Sequence, residues 1–204
     1  AALLALTHWA HKRIDKGDAI DDVIRDVVEG HDNVAVLGLA TSLALQRLHV
    51  SETTLALICC QRLWVLDMHR QVQDPGRSLS FLGINPLDQL TTEQREAATY
   101  LQNRRFRQLS LKDLVTRFVL SGTPEVKARL KEALARFPDE LPFELEEHRS
   151  RQIDVTEMRE RARVWAGWGD PDNYDVAPHP EDTEARVVSY VPPEPEPDGW
   201  AEAR

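Results

Sequence analysis

The side chains with most capacity for chemistry are His8 and His11, three residues apart and therefore on one face of a helix. That spacing offers two nitrogen ligands to a metal ion, but a zinc site takes three or four ligands, and no third is evident beside them. With a carboxylate they could instead form an acid and base pair; a packed or solvated pair of histidines is the simpler reading. Glu144, Glu146, Glu147 and His148 present similar groups with nothing to fix their spacing, so a solvated charged turn accounts for them. Trp64, Asp67 and Arg70 fall at i, i+3 and i+6 of one predicted helix. They form either an interaction surface or a core tryptophan beside a surface ion pair between Asp67 and Arg70. Arg104, Arg105 and Arg107 surround Phe106 in the one basic cluster that contains an aromatic. Nucleic-acid contact needs more positive surface than this, whereas cations at a helix C-terminus answer the helix dipole.

Several chemistries find no footing. The sequence holds no G-x-x-x-x-G-K-[ST], no G-x-S-x-G, no H-E-x-x-H and no C-x-x-C, so nucleotide hydrolysis by the phosphate-loop route and serine or zinc hydrolysis lack their signatures. No catalytic residue, metal or cofactor is expected in this segment. The adjacent Cys59 and Cys60 lie in an apolar run and suit neither a disulfide framework nor a spaced thiolate site, which predicts buried, reduced thiols.

The elements that must carry these residues are helices. Leu3, Leu6, Ala10 and Ile14 recur at helical spacing up to a stop at Gly17, and Asp18 is placed to cap a second helix with Ile20, Val23, Ile24, Val27 and Val28 on one face. Residues 33–48 are apolar almost all round, which demands enclosure on every side. Ser51 with Thr54 opens the next helix, which bends or restarts before Gln61. A loop of about seventeen residues is predicted over 74–90, longer than compact domains usually carry. Thr91 with Gln94, Ser110 with Asp113, and Thr123 before Pro124 mark three successive helix starts, and Asp154 with Glu157 a fourth. Helices of this length on short turns predict an all-α fold of stacked antiparallel helix pairs, an α-solenoid-like array, with a compact helical bundle as the alternative.

The formal net charge is −9, but residues 171–204 carry −7 of it, with Asp172, Asp175, Glu181, Asp182, Glu184, Glu194, Glu196, Asp198 and Glu202 against Arg186 and Arg204. The rest is nearly balanced, so no broad electrostatic case exists for nucleic acid or an anionic membrane. Residues 171–204 also hold seven of the twelve prolines. The expected organisation is a helical domain over 1–174 and a Pro/Glu-rich flexible tail or linker over 175–204, with a brief strand over Val187–Val191 if an edge is offered. The opening Ala1-Ala2-Leu3-Leu4, apolar at helical spacing, predicts a piece of a longer chain; without an export signal or an apolar run of about 18 residues, a cytoplasmic address is expected.

Three stretches carry a resemblance: Gly30-His31-Asp32-Asn33-Val34-Ala35-Val36-Leu37-Gly38; Arg62-Leu63-Trp64-Val65-Leu66-Asp67-Met68-His69-Arg70; and Trp165-Ala166-Gly167-Trp168-Gly169-Asp170-Pro171-Asp172-Asn173-Tyr174. In order and wording they resemble a region of the very large bacterial STAND NTPases, in particular the AVAST-type antiviral defence proteins. The resemblance implies an ATPase core N-terminal to Ala1, a helical sensor that recognises a viral protein, and oligomerisation with ATP. No ATP-binding residue carries over, because no position here matches a Walker motif. The leading expectation is a non-catalytic scaffold that binds a protein partner and the remainder of its own chain. The alternatives are a helical enzyme or metal-binding domain using His8 and His11, and a nucleic-acid module using Arg104, Arg105 and Arg107.

Overall fold

The structure, a computed structural model, describes residues 2–31, 33–73, 90–141, 155–178 and 186–193. The predicted loop lies outside the described residues except for Leu90, as do Glu144, Glu146, Glu147, His148 and Asp154. The protein is mostly helical and divides into two compact units, residues 1–122 and 123–204.

In unit 1 the helices are α1 (Ala2–Asp15), α2 (Ile20–Val28), α3 (Val34–Arg47), α4 (Glu52–Ile58), α5 (Gln61–Gln73), α6 (Thr92–Gln102) and α7 (Leu111–Ser121), with a 3-10 turn at Arg105–Arg107. The all-round apolar helix α3 receives the enclosure its composition demands: α1, α2, α4, α5, α7 and the 3-10 turn all pack on it. Every residue from Leu39 to Leu45 is buried, Thr41 and Ser42 included. Helix α3 starts where Asn33 accepts a hydrogen bond from the Ala35 amide at 2.9 Å. It stops at Leu48, which adopts the left-handed region at φ 48°, a conformation that costs a side-chain-bearing residue about 1 kcal/mol. The Leu48 and His49 amides then close on the carbonyls of Ala44 and Leu45, and α4 leaves at 118° to α3.

Local start signals hold at α4, α6 and α7, where Ser51, Thr91 and Ser110 each form a reciprocal capping box, and at the helix that Thr123 caps through the Val126 amide. Asp18 is the exception. Arg13 draws its carboxylate away at 2.6 Å, which leaves Ala19 at the cap position of α2 without a side-chain bond. The chain does restart between α4 and α5, at Cys59 and Cys60; both thiols are half-buried rather than enclosed, because they occupy the corner and not a helix face.

Unit 2 holds α8 (Pro124–Ala135), α9 (Val155–Trp168), a 3-10 turn at Pro171–Asn173, and strands β1 (Tyr174–Pro178) and β2 (Arg186–Tyr190). Helices α8 and α9 pack together, with Leu130, Leu134, Ala162 and Trp165 buried. At Gly169 a Cβ would stand 2.8 Å from Leu134 Cδ2 and 3.3 Å from its Cβ, so glycine allows this close approach. Side chains satisfy the last carbonyls of α9: Asn173 Nδ2 donates to Gly167 O and the Tyr174 hydroxyl to Trp168 O, both at 2.9 Å. Lys131 of α8 pairs with Asp170 and Asp172 at 2.7 and 2.8 Å.

Within the segment expected as a flexible tail, residues 175–178 and 186–190 lie in strands. Tyr174↔Tyr190 through Pro178↔Arg186 form an antiparallel ladder. The brief strand expected at Val187–Val191 is present one residue earlier, and the edge it required comes from Tyr174–Pro178. Among the described residues no single helix is long and apolar enough to cross a membrane.

The enclosure of α3 sets a stability contrast. Leu43→Ala, at a fully buried position, should cost about 2–5 kcal/mol. Val34→Ala, on the same helix but 53% exposed, should stay within about 0.5 kcal/mol. Urea denaturation followed by circular dichroism measures both.

Candidate functional site

The first turns of α3 are open, with Val34 and Gly38 exposed. There α1, α3 and α5 diverge around a groove of about 580 Å³, floored by Leu39, Leu63, Leu101 and Phe106. Three rim side chains, one from each helix, are exposed despite being apolar: Leu3 at 45%, Val34 at 53% and Leu66 at 43%. Gly38 lies in the wall between them, exposed, with nothing within 4 Å of where its Cβ would stand. Volumes of this order suit a small ligand or the side chains of a docked segment.

The groove's polar groups are already engaged by the fold. The hydroxyls of Thr7, Thr41 and Ser42 donate to the carbonyls of Leu3, Leu37 and Leu39 at 2.7, 2.9 and 2.7 Å. Asp67 is the most heavily bonded. Its Oδ1 accepts from Arg70 Nε and Nη2 at 3.0 and 2.7 Å, and its Oδ2 accepts from Gln71 Nε2 at 2.9 Å and the Leu111 amide at 2.8 Å. Leu111 is the first residue of α7, so the carboxylate also answers that helix's free N-terminal amide and dipole. Arg70 reaches on to the carbonyls of Phe106 and Leu109. The i, i+3 pair foreseen from the sequence is therefore real but not a surface pair: only 4% of the Asp67 side chain is exposed, because α7 and the 3-10 turn close over it. Trp64 takes the core position, its indole N–H donating to Ile58 O at 2.7 Å.

His11 sits behind the groove floor, 1% exposed, with its ring stacked on Phe106 at 4.9 Å. Nε2 lies 3.2 Å from Ser42 Oγ. Because that hydroxyl already donates to Leu39 O, it must accept from the histidine, which places the proton on Nε2. Nδ1 is buried and meets no hydrogen-bond partner among the described residues. Burial first, and the Arg104 guanidinium second, push the His11 pKa down from 6.5 to about 4, against the pull of Asp15. His8 turns instead to Tyr100, edge-on at 4.8 Å. The two histidines thus serve different neighbours, and among the described residues no group of three or more His, Cys, Asp or Glu side chains converges to hold a metal ion.

The arginine cluster disperses. Arg104 clasps Asp15 through both terminal nitrogens and lies over the Tyr100 ring at 4.0 Å, while the Tyr100 hydroxyl donates to the same carboxylate. Arg107 Nε donates to Leu101 O at 3.0 Å, near the C-terminus of α6, as the dipole reading requires. Arg105 alone stays exposed. The groove and the bond from the Leu111 amide to Asp67 were not foreseen. The available signals were a histidine and an aspartate inside otherwise apolar helical stripes. No protein-family profile, curated protein or solved structure matches the chain.

Two outcomes follow. In the unfolded chain His11 takes a proton at its ordinary value near 6.5, but in the folded protein only near pH 4. Stability is therefore lost as pH falls through that window, by about 3 kcal/mol between pH 7 and 4. Urea titrations at a series of pH values should show that slope flatten by this amount in His11→Phe. Asp67→Ala, which strands Arg70 and the α7 amide, should cost about 3–5 kcal/mol; Asp15→Ala, at a 38% exposed partner, should cost under about 1 kcal/mol.

Proposed function

We propose that this segment is a non-catalytic helical interaction scaffold whose unit 1 groove takes the apolar face of a helical segment from a protein partner. The observation that carries the reading is the groove itself, with exposed Leu3, Val34 and Leu66 on its rim and its hydroxyls and carboxylate already committed to the fold. A surface of that kind recognises shape and apolar area, and a helix presenting side chains at i, i+3, i+4 and i+7 offers both. Spent polar groups favour a binding role over acid–base chemistry at the same place.

The resemblance of the three stretches to STAND-type NTPases sets the wider proposal. In it, the segment follows an ATPase core in a large cytoplasmic protein of bacterial antiviral defence, and the groove belongs to the sensor that meets a viral protein. Consecutive helices pack on one another, α1 on α2, α2 on α3, α3 on α4, α4 on α5 and α8 on α9, as an α-solenoid-like array requires. The packing of α1 on α6 and of α3 on α5 and α7 nevertheless favours the compact-bundle alternative for unit 1, since solenoid units touch only their neighbours. Sequencing the coding region around this segment tests the wider proposal: an upstream open frame without G-x-x-x-x-G-K-[ST] overturns it.

Gly38 provides the direct test of the groove, since a side chain placed there enters open space. With an amphipathic helical peptide as probe, Gly38→Phe should weaken binding by tenfold or more, equivalent to about 1.4 kcal/mol, with the circular dichroism spectrum unchanged. Gly38→Ala should retain binding and add about 0.5–1 kcal/mol of stability. Equal affinity for Gly38→Phe and the unaltered protein would remove the groove from the reading.

A further inference from the structure

Two nucleophiles take no part in the groove: the thiols of Cys59 and Cys60, which are the chain's only cysteines. Neither is in a disulfide, and both are half-buried at the corner where α4 gives way to α5, so solvent reaches them.

The corner is held from both sides. The Cys59 amide closes on Leu55 O at 3.0 Å and the Cys60 amide on Leu57 O at 3.2 Å, while Cys60 O accepts from the Leu63 amide at 3.0 Å. Trp64 Nε1 reaches back across the pair to Ile58 O at 2.7 Å. Cys59 has ordinary right-handed backbone angles, φ −72° and ψ −1°. Because Ile58, Leu63 and Trp64 are buried, the backbone that carries the two thiols cannot shift without disturbing the core.

That rigidity decides what the pair can hold. Neighbouring Cα atoms across a trans peptide stand about 3.8 Å apart, short of the roughly 4.4–6.8 Å usual for a disulfide, and no cis peptide bond occurs among the described residues. A direct sulfur–sulfur bond therefore has to bend the corner. An atom placed between the sulfurs relieves the bend, since each sulfur then bonds the centre, at a metal–sulfur length of about 2.3 Å, and not its neighbour. Ligand number narrows the centre further. Among the described residues no group of three or more His, Cys, Asp or Glu converges, so the three or four protein ligands that zinc takes are not assembled around this pair. Two thiolates alone suit a soft, low-coordinate thiophile.

We propose that Cys59 and Cys60 together chelate a soft thiophile of the trivalent-arsenical class. With an arylarsenoxide the step balances without an oxidant: two As–S bonds form, the As=O bond breaks, and its oxygen leaves as water with the two thiol protons. Arsenic stays trivalent. This site stands independently of the unit 1 groove.

The test uses the full chain with phenylarsine oxide as probe. Mass spectrometry of the intact protein should show one arsenical per chain with the loss of one water, in an adduct that resists excess 2-mercaptoethanol and yields to 2,3-dimercaptopropanol. Cys59→Ala and Cys60→Ala, each with an unchanged circular dichroism spectrum, should weaken binding by on the order of a hundredfold or more, the gain that a second tethered contact brings. Since the folded corner presents both thiols and the unfolded chain does not hold them in place, the probe should raise the midpoint of urea unfolding. Amide shifts in NMR spectra should be confined to residues 57–65. The thiol competition and the urea midpoint use the unaltered protein, so they remain decisive where a variant fails to fold. Tight binding by either single-cysteine variant, two arsenicals per chain, removal by the monothiol, or an unmoved or lowered urea midpoint overturns the proposal.

Discussion

The need to bury α3 on every side organises unit 1. Its residues are apolar almost all round, and no single neighbour can cover such a surface, so five helices and a 3-10 turn are arranged about it. Each neighbour has one apolar stripe of its own to hide, as the buried Ile20, Val23, Ile24 and Val27 of α2 illustrate, and the shared helix lets them hide it together. The arrangement depends on hydrophobic burial, which is strong but indifferent to direction. Direction comes from the few polar groups trapped inside.

Those groups act by being satisfied. The Asp67 carboxylate fixes α5 against the start of α7 because its four hydrogen bonds come from both sides, and Arg70 extends the attachment to the carbonyls of Phe106 and Leu109. His11 fixes the proton-bearing nitrogen toward Ser42 and stacks on Phe106. A buried acid–base pair contributes little net stability against a well-packed apolar substitute, but specifies one arrangement among several that would bury the same area. The helices that meet here are the ones that open into the groove, so the polar contacts that define the core also shape the surface in front of it.

What the sequence made legible was local. Capping boxes at Ser51, Thr91 and Ser110 were readable because donor and acceptor lie three residues apart. Asp18 misled because its competitor, Arg13, belongs to the preceding helix. His11 was read beside His8 and Asp67 beside Arg70, as local pairs on one helix face, but their partners Ser42, Phe106 and Leu111 are tens of residues distant, and no periodicity reports such pairs. The hairpin was half visible: the valines of β2 signalled a strand, while Tyr-Asp-Val-Ala-Pro carries no alternation to mark it as the partner. The groove was invisible, since it exists only where three helices part company.

The attachment of α5 to the α7 start also bears on how this protein can change over generations. Asp67 and Arg70 grip Phe106, Leu109 and Leu111 directly, so both ends of the intervening chain are tied together by contacts that none of residues 74–89 supplies. Descendants of this gene should therefore keep Asp67 and Arg70, since the loss of either leaves a buried charge or carbonyl without its partner.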